Sequence, residues 1–277
     1  MRHLIVPMIL TACVVGQWAI GAESLEIAAE DDAAPWSQKD GTGYANDVVK
    51  AAFKAVEIDV KFQVMPYARC KHLIVEGEVV ACFSVSPLKE LEKTVRFADK
   101  PLFVCFADYF QNVNNPVKAA SEDEIPKGTV VGTVTGYEYP ESIYKLKEKG
   151  IVVFEEVDSE ELNVKKLADG RIALTLLNHN QMKPPGIMLA QNGATGKIAR
   201  AFPCGTLDSF IAFSKKHPRG DWACVKFNQG FKTISANGTL LEIQRKWADL
   251  AMAELKRLQA AIAPNDAPAQ LKEEKPK

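Results

Sequence analysis

The feature that most constrains the fold is a regular alternation of strand-like and helix-like segments in the first third of the chain. The order is strand, helix, strand, helix, strand, at residues 24–29, 46–56, 60–64, 66–75 and 79–85. The first and second strands alternate apolar and polar side chains, and the third is almost entirely apolar, as buried strands are. The first helix has one apolar face and begins at Asn46 or Asp47, either of which fits a cap. This order predicts a parallel α/β sheet.

The same alternation returns in the middle of the chain. Strand patterns at residues 129–134, 152–155 and 172–177 enclose helix patterns at 141–149 and 159–168. Ser159 is the expected cap of the second helix, and the last strand ends at Asn178. An apolar strand at 210–213 and two helices at 222–234 and 239–262 follow. Two α/β halves of similar plan indicate two lobes, and 277 residues suffice for each to bury a core.

Both ends of the chain differ from the rest. Residues 1–22 combine a short basic start, an apolar run and small residues before Glu23, which predicts a cleaved secretory signal peptide. The run is interrupted by Pro7 and is shorter than the roughly 20 residues of a spanning helix. The residues before Cys13 resemble a lipoprotein cleavage box, but lipidation is the less favoured reading because the apolar run before Cys13 is short. Residues 263–277 lack apolar periodicity, so we expect a disordered tail.

If the chain is exported to an oxidising compartment, its cysteines can form disulfides. Five remain after the signal, and their spacing suggests two disulfides, Cys70 with Cys82 and Cys204 with Cys224. Ordinary buried thiols are the alternative.

Composition and motifs argue against several functions. The formal net charge of −1 gives no reason to expect a nucleic acid or an anionic membrane as partner. The four histidines are scattered and no CxxC pair occurs, so neither a metal site nor another cofactor is expected. The segment from Gly132 to Gly136 lacks the Gly-Lys-Ser/Thr ending of a phosphate-binding loop. The Gly-x-Ser-x-Gly sequence of a nucleophile elbow is absent too. We therefore expect a protein that is not an enzyme.

Many short segments occur in the order found in one group of receptors. They are residues 43–47, 76–77, 79–83, 92–93, 97–101, 127–132, 136–137, 169–171, 211–216, 228, 237–243 and 246–247. Together the segments resemble the type II periplasmic solute-binding proteins, and in particular the polar amino-acid receptors of bacterial extracellular solute-binding protein family 3. Each segment is weak alone, but their order covers nearly the whole mature chain.

The resemblance implies a periplasmic-binding-protein type II fold, with two α/β lobes joined by two hinge strands. The first lobe would contain residues 23–105 and 214–262, and the second residues 106–213. A small-molecule ligand would bind in the cleft between the lobes, where strand ends and helix starts meet. It also implies a monomer that serves ABC-type uptake through a membrane permease, or presents its ligand to a sensor.

Two positions depart from the amino-acid receptors. The family's arginine, which holds the ligand carboxylate, corresponds to Leu91, and its aspartate, which holds the amino group, corresponds to Asn178. Charge-assisted hydrogen bonds are about twice as strong as neutral ones. A site that lacks the arginine and the aspartate therefore disfavours a zwitterionic amino acid. The alternative for Leu91 is that it only anchors its turn to the lobe. We expect a ligand that is not a standard amino acid.

The same correspondence gives the other candidate ligand-binding residues. They are Asp32, Trp36, Tyr67, Arg69, Ser84, Ser86, Thr135 and Tyr137. Trp36 could stack on a ligand or, as an equal alternative, only pack between loops. Arg69 is the preferred substitute for the missing arginine, although a solvent-exposed arginine at a helix start is an equal alternative.

Two further hypotheses remain open. One is a dehydratase-like or lyase-like enzyme on the same scaffold, with Asp31 or Asp32 and His179 as an acid/base pair. The other is a periplasmic accessory protein whose cleft is vestigial, which a closed and filled cleft would favour.

Overall fold

The structure is a computed structural model that describes residues 23–262. The expected signal peptide (1–22) and disordered tail (263–277) lie outside these residues. The strands are β1 Glu23–Glu30, β2 Asp32–Ala33, β3 Ser37–Gln38, β4 Ile58–Met65, β5 Ala81–Val85, β6 Val95–Phe97, β7 Phe103–Asn112, β8 Thr129–Val134, β9 Val152–Val157, β10 Leu174–His179 and β11 Ile198–Ser214. The helices are α1 Tyr44–Lys54, α2 Tyr67–Glu76, α3 Glu141–Glu148, α4 Glu160–Ala168, α5 Pro185–Gln191, α6 Gly220–Ala236 and α7 Thr239–Ile262.

Two parallel sheets meet at a central antiparallel pair. The strand order is β4-β1-β5-β11-β7-β10-β8-β9, with β6 also paired to β11, and β2 and β3 form a separate hairpin. Strand β1 runs parallel to β4 and β5, and β8 runs parallel to β9 and β10. Strand β7 pairs antiparallel with the first part of β11, whose end pairs with β5 and β6. The long strand β11 therefore continues from one parallel sheet into the other.

The fold has two lobes, as expected. We call the half with β1–β6, α1, α2, α6 and α7 the first lobe, and the half with β8–β10 and α3–α5 the second. Strands β7 and β11 contribute to the cores of both lobes. The core of the first lobe includes Phe53, Phe213 and Phe227. The ring centroid of Phe227 lies 5.6 Å from that of Phe53 and 6.0 Å from that of Phe213. The core of the second includes Tyr109 and Phe202, with ring centroids 4.8 Å apart. The boundaries at 105/106 and 213/214 remain predictions.

The helix starts follow the sequence in one case and not in another. Ser159 accepts a hydrogen bond from the N–H of Leu162 at 3.2 Å, which confirms it as the cap of α4. Helix α1 begins at Tyr44, two residues earlier than expected, and has no side-chain cap. The Asn46 amide donates instead to the Gly41 carbonyl at 3.1 Å, because Asn46 already lies inside the helix.

Neither expected disulfide is present among the described residues, where all five cysteines are free thiols. The Cys204–Cys224 prediction is wrong because the two side chains belong to different surroundings. Cys204 Sγ lies 3.7 Å from Ser142 Oγ, whereas Cys224 Sγ lies 3.8 Å from the Phe97 carbonyl oxygen. The Cys70–Cys82 disulfide is absent too, although both thiols are buried in one apolar cluster.

Burial raises the pKa of Cys82 well above its usual value, and the neighbouring Cys70 adds to the shift.

Candidate ligand-binding cleft

The cleft between the lobes contains a small inner cavity at the carboxyl ends of β1 and β5. It is lined by Glu30, Ala33, Trp36, Tyr67, Ser84, Ser86, Phe103, Cys105, Tyr137, Glu138, Asn178, Leu207 and Ser209. Its volume is about 30 Å³, which leaves room for about two water molecules. The position expected to hold the ligand is therefore occupied by the protein's own side chains.

Glu138, in the loop between β8 and α3, lines this cavity. Its carboxylate Oε2 accepts a hydrogen bond from the Tyr67 hydroxyl at 2.6 Å and a longer one from the Ser86 N–H at 3.4 Å. Its Oε1 forms an ion pair with Lys71 Nζ. Glu138 is only 4% exposed. Three groups of the first lobe thus surround one carboxylate of the second.

The loop that carries Glu138 is held firmly by the second lobe. The Tyr139 hydroxyl accepts a hydrogen bond from the Val134 N–H at 2.8 Å, and the Tyr139 N–H donates to the Tyr144 hydroxyl at 3.2 Å. Gly136 has φ +83°, a conformation that favours glycine, and a Cβ on it would lie 3.1 Å from the Ala68 Cβ. Glycine at this position lets the loop approach the start of α2 closely.

A second carboxyl group, Glu30 at the end of β1, bridges the lobes beside Glu138. The Tyr137 hydroxyl donates to Glu30 Oε1 at 2.6 Å. Burial raises the pKa of Glu30 to about 8, although the Tyr137 hydrogen bond acts in the opposite direction. Glu30 is therefore mainly protonated at neutral pH, and it contributes little negative charge to the cleft.

The candidate residues of the first lobe have different surroundings. Trp36 is buried and stacks on Phe103 with ring centroids 4.6 Å apart, so its ring packs against the protein. Ser84 has φ +66°, and its buried Oγ has no hydrogen-bond partner within residues 23–262. Leu91 packs against the apolar cluster below α2 and does not line the inner cavity. Arg69 is exposed and lines neither of the two cavities of the cleft.

A larger cavity of about 460 Å³ adjoins the inner one. Its wall is formed by the β2–β3 hairpin and α7 of the first lobe and by α4, β10 and α5 of the second. The lining residues include Asp32, Pro35, Gln38, Glu160, Glu161, Asn178, His179, Met182, Lys183, Ile187, Met188, Trp247, Leu250 and Glu254. Small-molecule sites have volumes of about 300–1,000 Å³, so this cavity has a suitable size.

Asn178 lines both cavities and marks their junction. It is 7% exposed, and its N–H donates to Glu160 Oε1 at 2.7 Å. Its side-chain Oδ1 has no hydrogen-bond partner in the described part of the chain. A buried acceptor without a donor is costly, and this oxygen has less than 1 Å² of exposed surface, so a ligand could donate to it only after a local rearrangement.

The only ammonium group in the wall of the larger cavity, within the described residues, is already neutralised. Lys183 Nζ forms a buried ion pair with Glu160 and lies 4.5 Å from the centre of the Trp36 ring.

Two further candidate residues, Asp32 and Thr135, are exposed. Asp32 lies at the rim of the larger cavity, where partial burial and the neighbouring Asp31 raise its pKa. Thr135 is exposed, donates to the Val157 carbonyl at 3.2 Å and lines neither cavity.

His179 does not pair with Asp31 or Asp32. Its Nε2 lies 2.7 Å from Asp108 Oδ2, and Asp108 also forms an ion pair with Arg200. Burial alone would raise the pKa of Asp108, but the hydrogen bonds from Arg200 and His179 outweigh it and lower that pKa. The acid/base pair considered from the sequence is therefore not assembled in this structure.

Comparison with known proteins decides the family. The sequence profile of "Bacterial extracellular solute-binding proteins, family 3" matches residues 25–249. The chain belongs to this family. No curated protein matches the sequence.

Within residues 23–262, no helix has the length and apolar character needed to cross a bilayer. In the same residues, no group of three or more His, Cys, Asp or Glu suits a metal ion.

Solved structures with the same fold have low sequence identity to this chain. An ancestral arginine-binding protein bound to arginine is 19% identical, with a TM-score of 0.68 over 81% of this chain and 97% of its own. A histidine kinase sensor domain with similarity to periplasmic binding proteins is 14% identical, with a TM-score of 0.69 over 81% and 95%. AncCDT-1, an ancestral amino acid-binding protein and precursor of cyclohexadienyl dehydratase, is 17% identical, with a TM-score of 0.63 over 81% and 94%. These likenesses confirm the two-lobed fold.

Sequence reasoning missed the charged residues that dominate the cleft. Glu30 and Glu138 line the inner cavity, Lys71 pairs with Glu138 between the lobes, and Lys183 pairs with Glu160 within the second lobe. Glu30 is the last residue of a strand, and Glu138 follows the Gly136-Tyr137 pair, so both stood next to recognised positions. Nothing in the sequence showed that a side chain of one lobe would bind the other.

Proposed function

We propose that this protein is a periplasmic solute-binding protein that holds a small ligand between its lobes, in the larger cavity, and that the ligand is not a standard amino acid. The observation that carries this proposal is the contrast between the two cavities. The inner one is filled by Glu30 and Glu138, whereas the adjoining one combines about 460 Å³ of space with the unpartnered Oδ1 of Asn178.

An α-amino acid lacks suitable partners at either end. The position of the expected arginine is Leu91, which packs into an apolar cluster, and the ammonium groups of Lys71 and Lys183 are bound to Glu138 and Glu160. Asn178 is a neutral acceptor where an aspartate would bind the ligand's amino group. A ligand whose carboxylate or ammonium group finds no charged partner in the site binds several-fold to many-fold more weakly.

The apolar part of the wall favours a ligand with a hydrophobic portion. Met182, Ile187, Met188 and Leu250 all line the larger cavity. A ligand with an apolar body and at least one N–H or O–H donor for Asn178 would suit this wall. Delivery of such a ligand to a permease for uptake, or its presentation to a sensor, agrees with the family and with the likeness to a kinase sensor domain.

Native mass spectrometry of protein purified without denaturation tests the proposal. We expect a small molecule to co-purify with the wild type and to be lost from Asn178→Leu, which removes the acceptor. The matched control is Asn115→Leu, an exposed amide outside the cleft that should retain the ligand. Retention of the ligand by Asn178→Leu would contradict the placement of the site.

A second candidate is an accessory protein with a vestigial cleft, favoured by the filled inner cavity. It predicts that no ligand co-purifies and that none in a broad thermal-shift screen stabilises the protein. An enzyme on this scaffold, suggested by the likeness to AncCDT-1, would instead convert a bound compound. Turnover of a bound compound would favour the enzyme, whereas a binding protein shows none.

A further inference from the structure

The carboxylate of Glu138 has the surroundings of a bound ligand. Among the described residues, its hydrogen bonds and its ion pair all come from the first lobe, from Tyr67, Lys71 and the Ser86 N–H. Hydrogen bonds in which one partner is charged are shorter and about twice as strong as neutral ones. The second lobe supplies the carboxylate, and the first lobe supplies every donor.

Lys71 depends on the second lobe for its own partners. Its Nζ donates to the Gly136 carbonyl oxygen at 2.6 Å and pairs with Glu138 Oε1. Its side chain is 18% exposed, so separation of the lobes would replace both partners with water. The Tyr67 hydroxyl, whose 2.6 Å bond is to Glu138, would lose that partner as well.

Glu138 is presented to these donors in a fixed position. The hydrogen bonds of Tyr139 to the second lobe and the close approach of Gly136 to Ala68 hold the loop against α2. A carboxylate tethered in this way competes with free carboxylates at an effective concentration of about millimolar or more. A free carboxylate must therefore displace it before it reaches the same donors.

We propose that Tyr67, Lys71 and the Ser86 N–H form a carboxylate-binding site on the first lobe, that Glu138 occupies this site as an intramolecular ligand, and that a solute carboxylate competes with Glu138 for it. Occupation by Glu138 closes the lobes over the inner cavity without a solute. The proposal concerns this site alone and stands whichever ligand the larger cavity takes.

Acetate binding to Glu138→Ala tests the proposal. If Glu138 leaves the site free in less than about a tenth of the molecules, its removal should lower the apparent Kd for acetate about tenfold or more. Ligand-observed NMR measures this Kd at constant ionic strength, and small-angle scattering of the acetate-free variant should show a larger radius of gyration than the wild type. Glu141→Ala, which removes an exposed carboxylate at the start of α3, is the matched control and should change neither value.

A second substitution locates the acetate. Adding Lys71→Met to Glu138→Ala should abolish the gained affinity, because the ammonium supplies the charge of the site. If Glu138→Ala fails to fold, Glu138→Gln keeps the shape, removes the charge and should show a smaller gain of the same sign. Unchanged acetate affinity in the folded Glu138 variants, or acetate binding that survives Lys71→Met, would overturn the proposal.

Discussion

The protonation of Glu30 gives a specific pH dependence of stability. Burial raises the pKa of this carboxyl to about 8 from an ordinary 4.5, against the effect of the Tyr137 hydrogen bond. Lys183 also favours the ionised form, whereas Glu160 and Glu138 disfavour it. The folded protein therefore retains a proton that the unfolded chain releases, so stability falls as the pH rises from about 4.5 to about 8.

The size of the effect follows from the two pKa values. The contribution of Glu30 to the free energy of unfolding should fall by about 3–4 kcal/mol between about pH 5 and pH 8. Urea unfolding at a series of pH values measures it in the wild type and in Glu30→Gln, whose amide oxygen still accepts from Tyr137. We expect the variant to become more stable relative to the wild type as the pH rises, by the same amount over this range, because glutamine does not titrate.

Glu26→Gln is the matched control for this experiment. Glu26 lies on the same strand but is exposed, so its replacement should leave the pH profile of the wild type unchanged. Parallel profiles for the wild type and Glu30→Gln would refute the reasoning, because they would mean that Glu30 titrates alike in the folded and unfolded chains.

Further predictions concern the contact between the lobes and the buried ion pair. Gly136→Val should prevent full closure and enlarge the radius of gyration in small-angle scattering. Gly128→Val has a similar positive φ but open space around it, and should cost stability without opening the lobes. Lys183→Met leaves the carboxylate of Glu160 buried without its cation and should lower the free energy of unfolding by about 3–5 kcal/mol. Lys165→Met removes an exposed ion pair of α4 and should cost less than about 1 kcal/mol; equal losses in the two lysine variants, measured by thermal unfolding, would contradict the buried-pair argument.

Local sequence patterns sufficed for the parallel strands and most helices. The expected helix at 66–75 corresponds to Tyr67–Glu76, and the expected strand at 129–134 to Thr129–Val134. Of the 17 residues of β11, only 210–213 were recognised. Pro203 and Gly205 lie at a register shift in this strand, where the regular alternation of side chains is lost.

The content of the cleft could not be predicted in the same way. The Tyr67–Glu138 and Glu30–Tyr137 contacts join residues 71 and 107 positions apart. Such pairs depend on how the lobes meet, which no local periodicity encodes. The departure of Leu91 and Asn178 from the amino-acid receptors was visible in the sequence, but the carboxylates that fill the space were not.

The central claim is that this solute-binding protein does not take a standard amino acid, and calorimetric titration tests it most directly. The native protein would be titrated at neutral pH with each standard L-amino acid. We predict no binding tighter than about 1 mM, because Glu138 holds Lys71 and because we propose that Leu91 and Asn178 stand where the amino-acid receptors carry their charged anchors. Saturable binding of any standard amino acid with a micromolar or lower Kd would contradict it.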